Sequence, residues 1–190
     1  MFTRRSRLAA GAAATAAALA MLVAPAAAAQ PPSTLEDLID ATARRLEVAE
    51  PVALAKFHSG QPVKDPQREQ QVIDAVSAEA SLLGADPAVV TAVFRDQIDA
   101  SVGIQYARLS QWTLDPASAP AAAEDLAAAR AVLDEVNRQM VSEIAEQRAV
   151  LQSPVCPAEL DQAKAVVADA RGFDPLYRQA LDVATRSYCR

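Results

Sequence analysis

Histidine, cysteine, glycine and aromatic side chains are all scarce in this 190-residue chain, which has one histidine, two cysteines and five glycines. A single His and two thiols without ligand-like spacing leave too few donors for a metal site, so no metal is expected. His58 has no Ser or Cys partner near it in sequence and reads as a surface or helix-end residue rather than half of a nucleophilic pair. Scarce glycine beside abundant alanine, with no clear strand alternation, predicts an all-α chain. Cations are in the minority, at 18 Lys and Arg against 24 Asp and Glu. That balance argues against nucleic acid or an anionic membrane as the main partner.

What is present begins with an address. Arg4, Arg5 and Arg7 form a positive start, an Ala- and Leu-rich run follows from Leu8 to Val23, and Pro25 precedes small residues ending at Ala29. This is the layout of a cleaved secretory signal over residues 1–29, with a secreted or periplasmic product. An uncleaved anchor is the alternative, since the run is nearly long enough to span. Arg4-Arg5 also allows a twin-arginine route, although Arg7 sits where such signals prefer an apolar residue. Removing residues 1–29 takes three of the 18 bases and no acid, which leaves 15 against 24, a formal charge of −9. The mature segment, 30–190, is long enough for one domain with a real core. It carries both cysteines, Cys156 and Cys189. An even pair in an oxidising compartment is most simply one disulfide.

The mature chain reads as six helices. Ser33-Thr34-Leu35-Glu36 forms a capping box for the first, with Leu35, Leu38, Ile39, Thr42 and Leu46 as its buried stripe. Pro51 falls inside this pattern and is expected to kink the helix rather than end it. Asp65-Pro66 and Asp86-Pro87 each place an N-cap before a proline at the first helical position, starting the second and third helices. Gly84 offers a C-cap between them. Val89, Val90, Val93, Phe94, Ile98, Val102 and Leu109 should turn the third helix toward the core. A loop is expected from Trp112 to Ala123, then a long helix from about Asp125 to Leu151 and two shorter ones near 157–171 and 175–188.

Several polar side chains stand out on these helices. Arg45 and Lys56 are eleven residues apart, about three turns, so they share a face with Val52 between them. Taken alone, such residues are ordinarily a solvated rim. Arg68 and Glu69 lie in the first turn after Asp65, where an acid suits the helix dipole. Ser101 and Gln105 are an i, i+4 polar pair among apolar residues, which need partners from the protein or a ligand. Arg130 lies among alanines with only Asp134 as an i+4 acid. The set supplies cations and neutral donors without a nucleophile.

The pattern Arg45…Lys56…Asp65-x-x-Arg68-Glu69…Ser101-x-x-x-Gln105 resembles the all-α chorismate mutase family. The stretches 45–52, 93–98 and 112–120 resemble its secreted, disulfide-bearing subclass known from actinobacteria. That subclass also has a signal peptide, a second helical half and two cysteines placed like Cys156 and Cys189. The resemblance covers essentially the whole mature chain, with catalytic helices over about 33–111 and covering helices over about 125–189.

The resemblance implies an isomerase of the shikimate pathway that turns chorismate into prephenate by an intramolecular Claisen rearrangement, with no cofactor. Its tasks would be to hold the folded conformer and to stabilise negative charge developing on the ether oxygen. By position, Arg45, Arg68 and Arg130 would take the substrate carboxylates, and Lys56 and Gln105 would donate to the ether oxygen. Glu69, aided by backbone near Asp65, would accept from the ring hydroxyl, and Ser101 would support a carboxylate. Val52, Ile98 and Val102 would pack on the ring. One pocket per chain follows from Arg130, although dimers are common in the subclass and a homodimer is expected. No stable membrane association is expected once the signal is removed. Mycobacterial members carry Glu where this chain has Gln105. An isochorismate-pyruvate lyase of the same fold is the nearest alternative, and a silent secreted binding protein the one from another class.

Overall fold

The computed structural model describes residues 35–121 and 125–190. The signal segment and the Ser33 cap lie outside them. Among the described residues every regular element is helical: α1 Glu36–Glu47, α2 Ala49–Ser59, α3 Pro66–Leu82, α4 Pro87–Leu114, α5 Leu126–Glu146, α6 Arg148–Leu151, α7 Cys156–Ala170 and α8 Pro175–Ala184, with a 3-10 turn at Pro116–Ser118. The six expected helices become eight because two are interrupted. None of these helices is long and apolar enough to cross a membrane.

The first interruption follows from Pro51. A proline there cannot donate to the carbonyl four residues back, and the ladder breaks between Glu47 and Ala49. Val48 nevertheless keeps right-handed helical torsions, φ −69° and ψ −15°, so the chain kinks without turning away. The expected stripe of Leu35, Leu38, Ile39, Thr42 and Leu46 is fully buried. The second interruption, at Gln147, turns α5 into the single-turn α6 before the disulfide segment.

The Asp-Pro starts behave as their chemistry dictates. Asp65 accepts from the Arg68 N–H at 3.0 Å and Asp86 from that of Ala88 at 2.8 Å. Gly84 follows the end of α3 at φ +70°, a left-handed conformation that an L side chain rarely adopts. The third helix continues past its expected end: α4 runs through Trp112 to Leu114. Trp112 is buried, its ring 5.7 Å from that of Phe57 and packed with Ala53 and Leu54. A local reading of the Asp115-Pro116 break placed the loop three residues early. His58 is exposed in the last turn of α2, with Nε2 3.3 Å from the Pro120 carbonyl oxygen.

Helix α4 is the axis of the fold, contacting α2, α3 and α8, while α1 packs on α5 and α7. Val90, Val93, Phe94 and Ile104 of α4 join the α1 stripe and Met140, Leu181 and Tyr188 in one core, whereas Val89, Ile98, Val102 and Leu109, also expected to face it, are only partly buried. Cys156 and Cys189 are bonded across 33 positions. In the chain-entropy description, a closed loop of that length stabilises the folded state by about 3–4 kcal/mol. Replacing both cysteines by serine should therefore lower the thermal midpoint by roughly 10 °C. A calorimetric scan showing no more than a degree or two of change would remove the disulfide from the list of stabilising features.

Candidate active site

The amino-terminal five helices enclose a pocket of about 670 Å³, counted to its open mouth, within the range of small-molecule sites. Its lining includes all of Arg45, Val52, Lys56, Asp65, Arg68, Glu69, Ile98, Ser101, Val102, Gln105 and Arg130. Residues from five separate helices and the loop before α3 thus meet in one cavity. Ala49, Val63, Val72, Leu126 and Leu133 complete its apolar wall.

Arg45 is a buried cation, only 4 % exposed. Its Nε donates to Asn137 Oδ1 at 2.9 Å, and its Nη1 donates to the Gln97 carbonyl at 3.1 Å and Ser101 Oγ at 3.0 Å. Three oxygens accepting from Nε and Nη1 fix the orientation of the guanidinium, and the Phe94 ring lies 5.8 Å away. Desolvation lowers the Arg45 pKa to about 10, against a raising influence from Tyr188 and a further lowering by Arg68. It stays charged at neutral pH. The Ser101 hydroxyl proton goes to the Gln97 carbonyl at 2.9 Å, so Ser101 faces Arg45 as an acceptor.

Lys56 is 7 % exposed. Its ammonium donates to the Val63 carbonyl and, at 3.1 Å, to Gln105 Oε1. Burial lowers its pKa below the ordinary 10.5, opposed by Asp65; Arg130 lowers it further and Glu69 opposes that. Because Oε1 of Gln105 faces the ammonium, the amide must turn its two N–H donors elsewhere. Lysine and glutamine thereby become two neighbouring donors on one pocket wall. The Val63 carbonyl is the piece that patterns of side chains could not reveal, since any residue type supplies it.

Two reciprocal ion pairs join the start of α3 to α5. Arg68 Nη2 donates to Asp134 Oδ1 at 2.6 Å, and Arg130 Nη2 lies 3.5 Å from Asp65 Oδ2. Arg130 thus pairs across helices and leaves its i+4 neighbour Asp134 to Arg68. Asn137 and Gln97, which the sequence pattern above does not include, carry a signal in their helical spacing. Arg130, Asp134 and Asn137 lie at i, i+4 and i+7 on α5, and Gln97, Ser101 and Gln105 at four-residue steps on α4. Each is a polar stripe on a helix that is otherwise rich in apolar residues.

The lining carries four cations, Arg45, Lys56, Arg68 and Arg130, against two carboxylates, Asp65 and Glu69. A formal +2 inside a chain that is acidic overall suits a small dianion. No Ser, Cys or His in this lining is placed as a nucleophile with a base.

Comparison with known proteins agrees with this arrangement. Residues 36–106 match the family described as chorismate mutase type II. The chain is 54 % identical over 158 residues to the secreted chorismate mutase of Mycolicibacterium smegmatis, covering 83 % of this chain and 87 % of that one. It is 44 % identical over 158 residues to the secreted chorismate mutase of Mycobacterium tuberculosis, covering 83 % and 79 % respectively. Its fold superposes on the crystal structure of chorismate mutase from Burkholderia phymatum with a TM-score of 0.79 at 33 % identity, over 83 % of this chain and 96 % of that one.

Proposed function

This chain belongs to the chorismate mutase family, and from that premise we propose that the pocket between α1 and α5 is its active site, with a definite role for each lining charge. The protein is a secreted isomerase that converts chorismate to prephenate. Neither a lyase acting on isochorismate nor a silent binding protein is favoured by these relatives.

The rearrangement breaks an ether bond while forming a carbon–carbon bond, both within one molecule. No nucleophile is needed, so the enzyme acts by selecting a conformer and stabilising charge. The observation that carries the site assignment is the side-by-side pair of Lys56 Nζ and Gln105, 3.1 Å apart in a largely apolar wall. There Lys56 and the Gln105 amide donate together to the ether oxygen as it gains negative charge. Arg45, Arg68 and Arg130 hold the two carboxylates, which the guanidinium fork fits bidentately. Ser101 supports a carboxylate through Arg45, whose guanidinium it braces. Glu69 accepts from the ring hydroxyl beside the Asp65 cap. Val52, Ile98 and Val102 pack on the ring and exclude water, which strengthens every charge interaction inside.

Residues 1–29 serve as the cleaved signal and 30–190 as one catalytic domain. Arg130 of the same chain lines the pocket, so the homodimer expected for this subclass would carry one pocket in each protomer. The direct test mixes purified, oxidised 30–190 with chorismate and identifies the product. Prephenate is expected, with loss of turnover in Arg68→Ala. Turnover that survives Arg68→Ala undiminished would place the chemistry elsewhere.

A further inference from the structure

Asp134 has no part in the roles assigned above, yet its carboxylate accepts the shortest hydrogen bond made by any pocket cation to a carboxylate, 2.6 Å from Arg68 Nη2. It lies outside the pocket lining and inside a second groove on the far side of Arg68, lined also by Gln71, Glu79, Asn137 and Arg138. Arg68 lines both cavities. One guanidinium therefore stands between two places from which a carboxylate can reach it.

We propose that Asp134 sets how tightly the pocket holds its carboxylate ligands: its carboxylate holds Arg68 until a substrate carboxylate takes its place. This rests on the reading of Arg68 as a carboxylate ligand. One guanidinium can hold two carboxylates, as Arg171 holds Asp40 and Glu47, but Asp134 sits on Nη2 of Arg68 at 2.6 Å, so a ligand carboxylate that needs that nitrogen for a bidentate grip gains it at the expense of Asp134. The side chain of Asp134 is 48 % exposed, against 27 % for Arg68, so the acid can leave into water at small cost while the arginine stays. It also has somewhere to go. Arg138 is four residues further along α5, in the same groove, the spacing and order at which an acid and a base pair favourably on a helix; it is exposed and paired with Glu135, so Asp134 would share it with that residue. Counting Asp134 reduces the local charge of the site from +2 to +1.

The exchange acts equally on every ligand that brings a carboxylate to Arg68, product as well as substrate. It thus weakens substrate binding but also eases release of the product, a dianion of the same charge. A carboxylate-free ring gains nothing from displacing it, so the exchange sets how strongly the pocket distinguishes charged ligands.

The test is Asp134→Asn, assayed for KM and kcat with chorismate, with prephenate affinity measured by calorimetry. The expected result is a KM roughly two- to fivefold lower, the range of an exposed ion pair. Prephenate binding should tighten by a similar factor and kcat should not rise. Asp134→Glu, which keeps the charge, should return KM toward that of the parent. If Asp134 instead held Arg68 in its productive orientation, Asp134→Asn would raise KM and lower kcat; that result, or an unchanged KM, overturns the proposal. Arg68→Ala, run alongside, separates the two readings. Loss of turnover there with an unchanged KM in Asp134→Asn rejects the exchange alone, whereas full turnover in Arg68→Ala rejects both. Should Asp134→Asn fail to fold, Arg138→Gln decides: loss of the second partner should raise KM, and an unchanged KM overturns the exchange.

Discussion

Lys56→Met should abolish turnover, by about a thousandfold or more, while leaving the fold at least as stable as before. The rate argument starts from charge. Removing a single preorganised donor from a developing oxyanion costs about a hundred- to a thousandfold, and Lys56 is both a donor and a full charge with 7 % exposure. The stability argument runs the other way. Burial lowers the folded-state pKa of Lys56 below its ordinary value, so the charged form is less comfortable folded than unfolded, and its protonation at neutral pH opposes folding. Methionine keeps the stem and discards that cost. The Val63 carbonyl and Gln105 Oε1 lose a donor, which offsets part of the gain. Thermal midpoints and kcat/KM measured on the same preparations would decide. A variant that folds well and retains a tenth of the activity would remove Lys56 from the ether-oxygen role.

Gln105→Glu should convert a flat pH profile into a steep one. An amide donates at every pH, so the parent enzyme should hold its activity from about pH 5 through neutrality. It should decline only as pH rises through the lowered pKa of Lys56, which lies below 10.5. A glutamate at 105 can donate only when protonated, and its carboxylate would sit where negative charge develops. Loss of one required proton cuts the rate at most tenfold per pH unit, so about a hundredfold loss is expected between pH 5 and 7. A parent profile that already falls steeply over that range would contradict the role given to Gln105. A flat profile in the variant would contradict it equally.

The elements most visible in the sequence were those whose causes are local. Asp65-Pro66 and Asp86-Pro87 start helices because cap and ring act within three residues of themselves. The α1 stripe is buried where 3.6-residue periodicity places it. Trp112 is helical rather than the start of a loop because a proline four residues on says where a helix cannot continue, not how far it will run. Packing of the indole on Phe57, Ala53 and Leu54 extends the helix to Leu114. The break at Gln147 had no comparable residue to announce it.

The same division runs through the site. Helix spacing alone puts Arg45, Val52 and Lys56 on one face, and Ser101 with Gln105 on another. The family pattern joins them to Arg68, Glu69 and Arg130. Pairing is a different matter. Asp134 is 66 positions from Arg68, Asn137 is 92 from Arg45, and Gln105 is 49 from Lys56. A charge in a sequence has many possible partners, and only the packing of α3, α4 and α5 around α1 and α2 selects among them. Export and helical class follow from composition, periodicity and short-range caps, which act along the chain, while the chemical type follows from the resemblance to a family. Which carboxylate holds which guanidinium, and which backbone carbonyl receives the buried ammonium, is settled by distances through space, and those exist only once the helices have packed.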